Sequence, residues 1–483
     1  MFLPGDPYSL LYLMPVVAGF YLLRTAPLRL LYLLALSLAY YGSFRPAFFL
    51  PLALVFAAAY AGALIVNWLP DDGRRSAAFW LAAAFILLPL AFYKYLVPGI
   101  FSNNATPGYD WALTAGHYAI PIGISYYTFA ALGYVCDVYL GLLRPEKRPH
   151  HVALHLSFFP HVTAGPIPRA THFLPQLQLN TRFDSDQMMA GIRLILVGAC
   201  MKLWFADSLS GPVNLIFQRP EQASALENLF ASQIFAFQLY ADFAGYSLIA
   251  IGAARLLGIT LGDNFRQPFL SRTLPEFWRS WHISLFTWLR DYVFTPLRMH
   301  WRKWPVAGSA LAIVITLVLV GIWHGTSWGF VLFGTIHGVF LALSMQTLAW
   351  RNALWQRFAI PAPVVNTIRI LITFNIVALT LILIRAKDLP QAFGMYGRIF
   401  SPALLTDLWS LGRTARILMF DSQTTNLALI GVIIIGDLIA KNGLNFERVP
   451  RLAQSFVYSI CILAVLYQGI SANASKPFIY FQF

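Results

Sequence analysis

Leu311-Ala312-Ile313-Val314-Ile315-Thr316-Leu317-Val318-Leu319-Val320-Gly321-Ile322 carries no charge, and Trp323-His324-Gly325 follows at once. So apolar a run belongs in lipid, which places His324 at or inside the membrane, where a polar side chain is costly and more often functional than decorative. Gly321 and Gly325 bracket the histidine and let backbone or ligand come close. Upstream, Glu276 to Asp291 reads as a helix. At about 100° per residue, Trp278, Trp281, His282, Leu285, Trp288 and Leu289 share one face, opposite Arg279, Ser280, Ser284, Thr287, Arg290 and Asp291. An amphipathic interfacial helix with a histidine on its aromatic side is expected. Taken alone, His324 could end and cap a helix, His282 could pack as a satisfied core residue, and His337 could bond across helices. Three histidines within about sixty residues of membrane sequence favour function instead.

The rest of the chain agrees with a membrane setting. It has 483 residues, 58% hydrophobic and 11% charged, and its mean hydropathy is +0.63. These values exclude a string of soluble domains and define a polytopic helical protein, whose backbone polar groups are satisfied inside helices. The alternation of a membrane barrel is absent. The net charge of +14 forms no single patch, so cytoplasmic loop bias explains it better than nucleic acid. Cys136, Cys200 and Cys461 lie in apolar stretches without CxxC spacing and read as reduced packing residues. The opening Met1 to Asp6 lacks a basic leader, so the first apolar run is expected to be retained.

The expected architecture is all-α: a transmembrane bundle of about a dozen spans with re-entrant or interfacial helices around a central tunnel. Expected spans are 9–23, 28–41, 48–69, 77–97, 120–142, 188–205, 231–258, 306–323, 328–348, 364–384, 425–440 and 456–470. In sequence order this gives N-terminal helices over 1–120, a core over 121–348, and C-terminal helices with an aromatic tail over 349–483. Arg24, Arg29, Arg74, Arg75, Arg144, Lys147 and Arg148 fall in alternate loops, which predicts an outward N-terminus. The stretch 153–168 is apolar but too short to cross, and Pro160, Gly165, Pro166 and Pro168 suit a re-entrant segment. The tail Pro477 to Phe483 reads as an interfacial belt or as a docked end.

No GxxxxGK[ST], GxSxG or HExxH is present. His151 and His155 have i, i+4 spacing, with His150, His161 and His172 nearby, but lack an acidic companion, and no metal is expected. Asp137, Arg193, Lys202, Glu227, Asp242 and Arg255 are ionisable residues in or beside apolar runs. Asp242 could orient a histidine, pair with a base, line a polar passage, or bury itself against an arginine such as Arg255.

Several of these blocks together resemble the membrane-bound O-acyltransferase family, most closely its bacterial branch. They are Asp242-Phe243-Ala244-Gly245-Tyr246-Ser247, Phe277-Trp278-Arg279-Ser280-Trp281-His282-Ile283-Ser284 with Trp288-Leu289-Arg290-Asp291, and Gly321-Ile322-Trp323-His324-Gly325. Pro121 to Phe129, Ala164-Gly165-Pro166-Ile167 and 328–338 support them. The resemblance implies acyl transfer from a cytoplasmic thioester such as acetyl-CoA to hydroxyls of an extracytoplasmic polysaccharide, in a bacterial inner membrane. It carries the family's catalytic histidine to His324 and its second motif histidine to His282. Trp281, Trp323, Asp242, Tyr246, His337 and Ser284 are then candidates for the substrate passage, and Arg279 and Arg290 for the donor phosphates. The donor is a substrate, and no resident cofactor is expected. An exported acyltransferase or esterase-like partner is expected to complete transfer to glycan. A neutral imidazole that takes the hydroxyl proton contributes ~10²- to 10⁴-fold. His324 is the candidate base or transient acyl acceptor, while His282 positions the thioester or passes the proton. The competing readings are a transporter or flippase, and a scaffold of a cell-envelope glycan system.

Overall fold

The computed structural model describes residues 7–96, 120–179, 182–409, 426–442 and 449–471. Among them every regular element is a helix or helical turn. Seven helices are long and apolar enough to cross a membrane: Pro46–Trp68, Asp72–Leu96, Ser185–Gln218, Ala225–Leu256, Pro305–His324, Trp328–Gln346 and Ala362–Arg385. Leu10–Leu22 and Arg451–Tyr467 are shorter apolar helices. The expected dozen exceeds these seven: α-helix Ala26–Phe44 has 19 residues but is not apolar enough, and other expected spans are short. Ile124–Tyr139 and Asn426–Lys441, for instance, have 16 residues each, short of the roughly 20 that a full crossing needs. The aromatic tail Pro477 to Phe483 lies outside the described residues.

The chain forms two compact units, both discontinuous in sequence. The first comprises 1–196 with 246–263. It holds α1 (Leu13–Leu22), α2 (Ala26–Phe44), α3 (Phe49–Trp68), α4 (Asp72–Ala91), α5 (Ile124–Tyr139), α6 (Pro149–Ser157) and most of α7 (Ser185–Ala199). Local chemistry sets the starts of these helices. The Asp71 carboxylate accepts the Gly73 N–H at 2.7 Å and so caps α4. Gly123 opens α5 in the left-handed region at φ 74°, where a Cβ would collide with the Val162 carbonyl. The expected re-entrant segment is a nine-residue helix, α6, followed by irregular chain at 158–168 that is buried throughout. Such backbone is tolerated at membrane depth only where protein covers it.

The second unit comprises 197–245 with 264–483. A π-helical stretch, Cys200–Ala206, leads into α8 (Asp207–Gln218), and α9 (Ala225–Leu256) begins in this unit. The first two amides of α9 are held by Asp407 Oδ2, at 2.8 Å from Ala225 N and 3.3 Å from Leu226 N. Then come α10 (Leu274–Ser280), α11 (Ile283–Leu289), α12 (Pro305–His324), α13 (Trp328–Gln346), α14 (Ala362–Thr380), α15 (Ile382–Arg385), α16 (Leu389–Ile399), α17 (Asn426–Lys441) and α18 (Arg451–Ser471). Small residues bring α12 and α13 together as an antiparallel pair: Gly334 faces the Leu317 carbonyl, and a Cβ on Gly338 would stand 2.8 Å from Val314 Cα.

Candidate active site

The single amphipathic helix read from 276–291 is broken. Thr273 Oγ1 caps α10 by accepting the Glu276 N–H at 3.3 Å, but the helix stops at Ser280 and Trp281 is extended. His282 then adopts the left-handed conformation at φ 45°, ψ 53°, before α11 starts. For a non-glycine residue this costs roughly 1–3 kcal/mol and persists only where the surroundings enforce it. The enforcing strand of chain is Asn264–Arg266. Asn264 C=O accepts the Ile283 N–H at 2.8 Å, and the Arg266 N–H donates to Ser280 C=O at 2.9 Å. The sidedness of the stretch survives the break. Trp278, Trp281, His282, Leu285, Trp288 and Leu289 are all buried, and Arg279 and Arg290 are exposed.

His282 and His324 share the wall of one cavity of about 40 Å³. Leu239, Phe243, Phe277, Trp278, Trp281, Leu285, Phe286, Phe333, Val377, Leu381 and Ile384 complete its lining. Space of that size holds on the order of three water molecules. His324 ends α12 and is half-buried, its ring stacked 6.2 Å from that of Phe330 at an interplanar angle of 14°. Gly321 is what permits this approach, since a side chain there would strike the Phe330 carbonyl. Trp323 lies beside both imidazoles, with ring centroids 4.6 Å from His324 and 6.4 Å from His282.

His282 is 2% exposed, and the Phe243 ring meets its ring edge-on at 4.7 Å. Its Nδ1 lies 3.0 Å from Asn264 Oδ1, the atom that also accepts Ser284 Oγ–H at 2.9 Å and Ser284 N–H at 3.3 Å. Burial, and after it the His324 ring, push the His282 imidazole well below its ordinary range, so it is neutral at pH 7.

The remaining sequence candidates divide by distance from this cavity. His337 stands one layer back. Its Nε2 is 2.7 Å from Thr380 Oγ1, and its ring lies 5.1 Å from Trp278 and 4.4 Å from Phe333, two lining residues. The Thr380 hydroxyl already donates to Ile376 C=O at 2.8 Å, so the imidazole donates to it, and the bond ties α13 to α14. Asp242 is 1% exposed and pairs with Lys202 rather than Arg255; Lys202 Nζ lies 2.7 Å from Asp242 Oδ1 and 2.9 Å from Asp207 Oδ1. Arg255 instead bonds Gln187 Oε1 at 2.7 Å. Tyr246 belongs to the first unit, where its hydroxyl bonds that of Thr163, and it is not part of the cavity lining. Ser284 acts through Asn264. Neither Arg279 nor Arg290 lines the cavity, and Arg290 pairs with Asp291 at 2.7 Å in an exposed contact. Asn264 escaped the sequence reading because its only signal is spatial, a contact with a histidine eighteen positions later.

A helical membrane protein whose motif histidines meet at one aromatic cavity has the make-up of an intramembrane acyltransferase, and family comparison agrees. The model of the membrane-bound O-acyltransferase family matches residues 150–384. The chain belongs to that family and is a multi-pass membrane O-acyltransferase. Among its relatives is a probable alginate O-acetylase of Pseudomonas putida, 30% identical over 97% of this chain and 98% of the relative. A peptidoglycan O-acetyltransferase of Helicobacter pylori is 27% identical over 82% of this chain and 80% of its own length. A teichoic acid D-alanyltransferase of Bacillus subtilis is 30% identical over 46% of this chain and 58% of its own length.

Proposed function

We propose that this chain moves an acetyl group from a thioester presented at the cytoplasmic face to hydroxyls of an extracytoplasmic polysaccharide, with an exported partner protein completing the transfer. The names of the relatives support acetyl transfer to glycans, and the observation that carries the site is the shared placement of His282 and His324 on one small cavity. In this reading the hydroxyl oxygen attacks the thioester carbonyl while His324 takes its proton. Collapse of the tetrahedral adduct breaks the C–S bond, and the proton passes to the departing sulfur, giving ester and thiol. The aromatic walls exclude water that would otherwise hydrolyse the thioester. In the same reading the chain sits in the inner membrane with its N-terminus outward, the orientation that the loop charges favour. Arg279 and Arg290, both exposed and outside the cavity lining, in this reading attract the phosphates of a donor whose reactive end alone enters. The test is mass analysis of the producing cell's surface glycans with and without this chain. Loss of O-acetyl groups is expected on deletion, and an unchanged acetyl content would overturn the assignment.

A further inference from the structure

We infer that Asn264 is the positioning residue of the site: it fixes His282 as the Nδ1–H tautomer, so that His282 meets the reacting groups through Nε2 as a hydrogen-bond acceptor. The inference rests on the acyl-transfer reading above. Its geometric core does not, because the hydrogen-bond inventory alone determines which nitrogen holds the proton.

The Ser284 main-chain N–H can only donate, and it lies 3.3 Å from the Asn264 side-chain atom in question. That atom must therefore be the amide oxygen, since the amide nitrogen would set two donors against each other. The Ser284 hydroxyl donates to the same oxygen at 2.9 Å. His282 Nδ1, 3.0 Å from this acceptor, must carry the proton, and in a neutral imidazole Nε2 then holds the lone pair. The main chain reinforces the arrangement. Asn264 C=O holds the Ile283 N–H at 2.8 Å, which keeps His282 in its left-handed conformation at the break between α10 and α11. Asn264 is itself 1% exposed, so water does not compete for these bonds. One buried amide thus sets the backbone angle, the ring orientation and the tautomer of a cavity histidine whose titratable neighbour is His324.

The consequence is a restriction on chemistry. His282 can accept a proton or a hydrogen bond at Nε2, and it cannot serve as a donor to the developing oxyanion while neutral. Oxyanion stabilisation therefore falls to another group.

The test uses the full-length chain in lipid bilayers with ¹⁵N-histidine, the His282 signal being assigned by its loss in His282→Gln. In the parent, His282 should be protonated at Nδ1. Asn264→Leu should give a mixture of tautomers and lower kcat by at least about tenfold with little change in KM, measured as thiol release from acetyl-CoA with the producing cell's exported proteins and polysaccharide both supplied. Asn264→Asp keeps the acceptor and adds a negative charge, so the tautomer should persist while the acid limb of kcat moves to higher pH, a displacement that a merely structural role would not produce. An Nε2–H tautomer in the parent, or a tautomer and pH profile untouched by both substitutions, overturns the inference. Should Asn264→Leu fail to fold, Asn264→Asp decides alone. If the parent releases no thiol, the functional reading falls while the NMR still judges the tautomer.

Discussion

Lys202→Met should be among the most damaging single substitutions outside the cavity. The lysine side chain is 2% exposed and is held between Asp242, 1% exposed, and Asp207, 16% exposed. Removal of the ammonium leaves two carboxylates facing one apolar group. Asp207 can turn toward water, but Asp242 cannot, so most of the loss arises at Asp242. Breaking a buried pair from one side costs about 3–5 kcal/mol, a factor on the order of 10² to 10⁴ in the folded-to-unfolded ratio. Replacing both partners by apolar groups is close to neutral for such pairs. Lys202→Met combined with Asp242→Leu should therefore recover most of what the single change loses, a departure from additivity of ~2–3 kcal/mol. The assay is denaturant unfolding of the full chain in a bilayer mimetic, followed by tryptophan fluorescence. A single variant within about 1 kcal/mol of the parent, or a double variant no better than the single, would refute the reasoning.

Two further changes probe packing and charge elsewhere. Gly321→Ala drives a methyl into the Phe330 carbonyl, and overpacking of this kind costs about 1–3 kcal/mol. Because His324 lies one helical turn further on, acyl transfer should fall more than stability does, and equal losses in the two would count against the fit described for this turn. In the loop after α5, burial alone would raise the Glu146 carboxyl, but the Arg148 hydrogen bonds and the neighbouring His151 and Arg148 charges outweigh it and hold the group at about 2. A depressed carboxylate stabilises the fold above its ordinary value near 4.5, and that stability drains away as pH falls toward 2. The difference in unfolding midpoint between the parent and Glu146→Gln should be constant above pH 5 and should shrink below it; a difference that grows with acid would contradict the assigned direction.

The sequence made some of this site legible and hid the rest for physical reasons. Apolar run length revealed the spanning helices, and 3.6-residue periodicity assigned the correct buried side to 278–289, because sidedness depends only on local spacing. The break at His282 was not legible. A left-handed residue in a helix-like pattern is imposed by Asn264, eighteen positions upstream, and periodicity is silent about partners at that range. Asp242 and Lys202 were both visible as buried ionisable residues, yet their pairing joins helical segments forty positions apart. Asp242 and Tyr246 are one helical turn apart on α9, but they fall in different compact units, and the contact of the Tyr246 hydroxyl with that of Thr163 was not legible from their adjacency in the motif. His337, adjacent in sequence pattern to the catalytic candidates, turned out to brace Trp278 and Phe333 from behind, a placement that follows from its bond to Thr380 on α14.

The imidazole at the end of α12 is the proposed base, and replacing it is the most direct measurement. In full-length His324→Ala, thiol release from acetyl-CoA and O-acetylation of the producing cell's polysaccharide should fall by at least about 10²-fold, while the unfolding midpoint stays close to the parent's. Acyl transfer that persists at the parental rate in a folded His324→Ala chain would contradict it.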